Sequence, residues 1–89
     1  MSHTRLCYGP PFRVVLDVHG GGIERHVVCV KTYRKHKPAM AEGKRQHIKL
    51  EKDAPPRPHY PGRSARVMVL GTGDDGGEYI LKHWHDVKL

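Results

Sequence analysis

Val27-Val28-Cys29-Val30-Lys31-Thr32-Tyr33-Arg34-Lys35-His36-Lys37 is the stretch on which the reading of this chain turns. Its first four residues form a short apolar run rich in β-branched side chains, the mark of a buried strand. From Lys31 onward the side chains become cationic, and charge of that kind stays in water unless it is paired. A strand leading into a basic arm is therefore the expected organising element.

Upstream of it, Phe12 to His19 alternates. Phe12, Val14, Leu16 and Val18 share one face, and Arg13, Asp17 and His19 share the other with Val15. Gly20-Gly21-Gly22 supplies the positive-φ positions of a tight turn. Ile23 to Tyr33 then returns as the second strand of an antiparallel hairpin. Because both of its faces are apolar from Val27 to Val30, it is expected to be central or covered by a second layer.

Downstream, Pro38-Ala39-Met40-Ala41-Glu42 reads as a single helical turn, with proline at its first position and Gly43 closing it. Lys44 to Lys52 alternates again. Gln46, Ile48 and Leu50 face away from Arg45, His47, Lys49 and Glu51, which predicts a third strand at the sheet edge with a basic outer side. Asp53 to Ser64 is a proline-rich extended connection. Ala65 to Leu70 is the fourth strand, and Gly71 to Gly77, with its Asp75-Gly76 pair, is a turn. Glu78 to about His85 is the fifth strand, which Asp86 to Leu89 could prolong. Residues 1 to 11 read as an irregular arm ending at Pro10-Pro11.

The expected fold is mainly β. It is one small domain over residues 1–89, with about five antiparallel strands arranged as two hairpins plus an edge strand. The arrangement would be a meander or a partly open barrel, and the alternative is α+β with one short helix. Nine valines against four alanines agree with the β reading. A chain of 89 residues builds only a modest core, so self-association or docking on a partner is consistent with its size. No segment approaches the length of about 20 apolar residues that spans a bilayer. The N-terminus lacks the apolar core of a signal peptide, so a cytoplasmic protein is expected. A disulfide between Cys7 and Cys29 is possible, but neither their count nor their spacing suggests a secreted disulfide scaffold. Cys29 reads as a small buried apolar residue.

Charge is the most informative feature for function. The net charge is +7, and residues 31–52 alone carry eight basic and two acidic groups. Residues 67–89 carry two basic and four acidic groups and are net negative. A cationic block of this kind favours a polyanion. Lys31, Arg34, Lys35, Lys37, Lys44, Arg45 and Lys49 are the candidate phosphate contacts, with Tyr33 and His36 available to stack on bases. The expected function is non-catalytic nucleic-acid binding through this segment, without a cofactor. The bland alternative is a solvated basic surface.

The second reading is a protein-interaction module, either a structural subunit or an accessory or inhibitory protein on a larger partner. A third is a small metal-independent ribonuclease built from His19, His26, His83, His85, Lys31, Tyr33 and Arg34, since histidine and cationic groups suffice for such chemistry. His83 and His85 would also share one side of a strand, the spacing of two metal ligands. No CxxC or HExxH motif accompanies them, and no metal site is expected. The Gly-rich stretches lack a following helix or a Lys-Ser/Thr pair and read as turns. Pro55 to Pro61 holds PxxP-like patterns that a stiff connector explains, and Trp84 reads as a core or interface anchor.

Overall fold

A computed structural model describes residues 3–4, 11–54, 56 and 62–89. The strands are β1 His3–Thr4, β2 Phe12–Gly20, β3 Ile23–Tyr33, β4 Arg63–Thr72, β5 Glu78–His83 and β6 Val87–Lys88. A helix, α1 His36–Asp53, separates β3 from β4. The fold is mainly β: one sheet in the order β1-β3-β2-β4-β5, with β6 also paired to β4, and it does not close into a barrel. All pairings are antiparallel except the short β1–β3 pair. The arm at residues 5–10, including Cys7, and most of the proline-rich connection at 55–61 lie outside the described residues.

The hairpin forms where the residue types demand it. Gly20 pairs with Ile23, leaving Gly21 and Gly22 as a two-residue loop. Both have positive φ, 65° and 74°, as a type I′ turn requires. β2 is the centre of the sheet, bonded on one side to β3 and on the other along its length to β4. β3 lies one place in from the edge. Its Val28 and Val30 are each 40% exposed, so the apolar run is less covered than its composition predicts.

The segment after β3 departs from the expected pattern. The single helical turn and the edge strand at Lys44–Lys52 are one continuous helix of 18 residues. Gly43 does not close it. Pro38 lies in the first turn, where the missing N–H costs nothing. Alternation over nine residues was a coincidence of a 3.6-residue period. The buried positions Ala39, Gly43 and His47, with half-buried Leu50, recur at helical spacing.

Val14, Val67 and Val69 from the sheet and Ala39 from α1 form the core, flanked by Phe12, Leu16, Tyr33, Met40, Leu50 and Trp84. Trp84 thus packs, partly buried, against the core, one of the two roles expected of it. Gly43 is the close point of this contact. A Cβ there would stand 2.6 Å from Trp84 Cη2 and 2.8 Å from Val69 Cγ2. In an exposed helix, Gly→Ala stabilises by about 1 kcal/mol. At position 43 the overlap outweighs that gain, and Gly43→Ala is expected to destabilise by about 1–2 kcal/mol. Thermal denaturation should show a lowered midpoint, and a raised one would mean that the helix is not seated on Trp84.

β4 carries two short strands along one side. β5 pairs with Met68 to Thr72, and β6 pairs with Ser64 and Ala65. Between them Trp84-His85-Asp86 leaves the ladder, though Trp84 N still donates to Val67 O at 3.0 Å. The fifth strand therefore ends at His83, and the C-terminal residues form a separate strand rather than prolonging it. The turn before β5 is held by Gly73 N to Gly77 O at 2.8 Å and by Asp75 Oδ1 accepting from Gly77 N at 2.9 Å.

The face of β2 expected to be polar is also buried. Arg13 and Val15 are nearly inaccessible, and Asp17 is fully so. Arg25 makes a two-pronged contact with Asp17, Nε to Oδ1 at 2.8 Å and Nη2 to Oδ2 at 2.7 Å. Arg66 Nε adds a third hydrogen bond at 3.1 Å. Burial alone would push this carboxyl up. The hydrogen bonds from Arg25 and Arg66, reinforced by their charges, outweigh burial and hold Asp17 below its ordinary pKa. Cys29, on the same sheet face one strand over, is only half-buried and is disulfide-bonded, not a small apolar core residue.

Candidate nucleic-acid interface

Helix geometry redistributes the basic segment. Lys37, Lys44, Arg45, Lys49 and Lys52 are all exposed, and their spacings of four, seven and eight residues place them on the outer stripe of α1. The stripe extends about 22 Å along the helix axis from Lys37 to Lys52. Ile48 lies in its middle, 54% exposed.

Few of these charges are consumed within the fold. Arg45 Nη1 contacts Glu42 Oε1 at 3.2 Å, yet its side chain remains 71% exposed. Glu42 is itself buried and also accepts from Tyr33 Oη at 3.2 Å and Gln46 Nε2 at 3.4 Å. Among the described residues, Lys37, Lys44, Lys49 and Lys52 have no ion-pair partner.

The helix N-terminus adds to the positive field. Lys35 is the N-cap residue in extended conformation (φ −119°, ψ 147°) with no side-chain cap, and the first turn holds no acidic residue. The positive end of the helix dipole thus coincides with exposed Arg34, Lys35 and Lys37. Lys31 is exposed two residues before Tyr33, with its Nζ 5.4 Å from the Tyr33 ring centroid. Tyr33 packs against the core and donates to Glu42, so it anchors β3 to α1. His36 is exposed, its ring edge-on to Phe12 at 6.2 Å.

Every cation named from the sequence is exposed, but only Lys37, Lys44, Arg45 and Lys49 share the helix stripe. Arg34, Lys35 and His36 surround its entry, and Lys31 belongs to the strand before it. Lys52 completes the stripe and was absent from the expected contacts. The recurrence of Ala39, Gly43, His47 and Leu50 is the signal that would have revealed it.

A second polar feature is a recess of about 310 Å³ lined by Asp17, His19, Arg25, Arg66 and Asp86. Its charges are internally matched, since both arginines bind Asp17 and His19 Nε2 lies 3.4 Å from Asp86 Oδ1. The parts considered for metal-independent RNA cleavage are not gathered at one point. His19 pairs with Asp86, His85 stands 3.5 Å from Glu51 on the helix side, and Tyr33 is tied to Glu42.

No protein-family model, curated protein or solved structure matches the chain. Among the described residues, no helix is long and apolar enough to cross a membrane.

Proposed function

We propose that this protein binds nucleic acid without catalysing a reaction on it, laying the outer stripe of α1 along the phosphate backbone. The observation that carries the reading is four lysines on one helix face with no carboxylate partner among the described residues. Each is free to replace a condensed counterion, and counterion release is the main source of sequence-independent affinity. The cationic helix entry extends the contact, and exposed Ile48 can rest against sugar or base edges. A helix also has the width that a major groove admits.

Titration of short DNA and RNA duplexes and single strands at several salt concentrations tests this. Four phosphate contacts give a slope of about −3.6 in log K against log salt for duplex DNA, or about 150-fold weaker binding at 200 mM than at 50 mM. Absence of binding to all these nucleic acids at low salt would overturn the proposal. Binding only to an acidic protein surface would replace it. The cytoplasm is the compartment proposed. The disulfide at Cys29 is the feature that pulls the other way, since cytosolic thiol buffers keep most cysteines reduced.

A second reading, self-association, is favoured by β5. It is an edge strand with all six residues exposed, among them Tyr79, Ile80 and Leu81. Such an edge is a template for pairing with another chain. Light scattering should report a concentration-dependent dimer that Ile80→Lys abolishes. A monomer at every concentration would remove this reading.

A further inference from the structure

The C-terminal end of α1 carries a different chemistry from its cationic stripe. His47 and Glu51 are one turn apart, and His47 Nε2 lies 2.7 Å from Glu51 Oε1. His85, from the connection between β5 and β6, reaches the same carboxylate, with Nε2 3.5 Å from Oε2. The two imidazoles meet edge to face at 4.6 Å between centroids. One donor atom from each of the three residues lies within 4.8 Å of the other two.

We infer that His47, Glu51 and His85 bind a first-row divalent transition-metal ion, with Zn²⁺ the best match. Two imidazole nitrogens and one carboxylate oxygen are a donor set this ion favours, and three protein donors leave one position for water or a ligand. Ligands about 2.0–2.1 Å from a tetrahedral ion stand about 3.3 Å apart. The two short contacts run to different oxygens of Glu51. With one of those oxygens as the ligand, the donor separations, all within 4.8 Å, close to that value by rotation of Glu51 and His85, whose side chains are 50% and 69% exposed.

His47 is the fixed member. It is 5% exposed, and its ring stacks on Trp84 at 6.1 Å and 21°. Its Nδ1 is shut off from solvent with no hydrogen-bond partner among the described residues. The ring is therefore oriented by packing, and its accessible coordination chemistry is directed through Nε2. The position in the helix helps as well. Glu51 is in the last turn, where the negative end of the helix dipole favours a cation.

His83 is not part of the group. The spacing of His83 and His85 suggests a pair on one side of a strand, but β5 ends at His83 and His85 follows the chain out of the ladder towards α1. Sequence distance hides the actual pair, because His47 and His85 come together only through helix–sheet packing.

Chelator-treated full-length protein titrated with Zn²⁺ by calorimetry, and with Co²⁺ by visible absorption, tests the assignment. One equivalent should bind with a micromolar or lower Kd, Co²⁺ should give the intense bands of a four-coordinate site, and saturating Zn²⁺ should raise the Tm by several degrees. His85→Ala and Glu51→Gln, both at exposed side chains, should each weaken binding at least 10-fold, and second-site His83→Ala should leave it unchanged. No binding at 100-fold excess of Zn²⁺ over protein, or equal affinity in His85→Ala and wild type, would overturn the site. Neither result bears on the lysine stripe, which is read by salt dependence.

Discussion

Replacement of Lys44 and Lys49 together by glutamate is expected to weaken duplex DNA binding roughly 100-fold at low salt, a loss of about 2.7 kcal/mol. Two phosphate contacts disappear, and two carboxylates now face the backbone. The salt slope should fall from about −3.6 to about −1.8, because two fewer counterions are released. Both positions are exposed on the outer face of α1, away from the core, so the Tm should change little. A charge-matched control separates the stripe from net charge alone. Lys82→Glu with Lys88→Glu makes the same change on β5 and β6, and it should cost only a few-fold in affinity. Equal losses in the two double variants would show that net charge, not the helix face, governs binding.

The largest stability effect is expected at Asp17. Asp17→Asn removes the carboxylate that neutralises Arg25 and Arg66, and breaking a buried pair typically costs 3–5 kcal/mol. Arg25 is 50% exposed and Arg66 30%, so water relieves part of the loss and about 3 kcal/mol is expected. For a domain of this size that lowers the Tm by about 12–24 °C.

The pH dependence follows from the direction of the shift. The folded-state pKa of Asp17 is depressed, so its contribution is complete above the unfolded value of about 3.9 and is lost as pH falls through the folded value below it. Wild-type protein should keep the clamp from pH 7 to pH 5 and lose it in strong acid. Asp17→Asn should be less stable from pH 7 down to about pH 4, decline less steeply below that, and converge with wild type in strong acid. Urea denaturation across this range reads both effects, and superimposable curves would show that the clamp adds no stability.

The β-hairpin was legible because its determinants are local. Alternation in β2, three glycines and the return of β3 act within one short segment, and the observed bounds of β3 match those read from the residues. The helix was not legible in the same way. Lys44 to Lys52 satisfies period two and period 3.6 at once, and lysine, isoleucine and leucine serve either element. Packing broke the tie. In the helical register Ala39 and Gly43 meet Val69 and Trp84, and Ile48, which the strand register places inward, turns to solvent.

The same choice remade both candidate sites. A cationic segment was evident from charge counting, but its gathering into a stripe that includes Lys52 depends on the helical period. The partners of Asp17 lie 8 and 49 positions away, and His47 and His85 are separated by the whole of β4 and β5. What the amino-acid order determined by itself was the hairpin, the β-rich composition and the location of the positive charge, all products of neighbouring residues. The tertiary structure alone decided which cations share a face, which carboxylate is clamped and which histidines meet, because those contacts exist only once distant segments pack on one sheet.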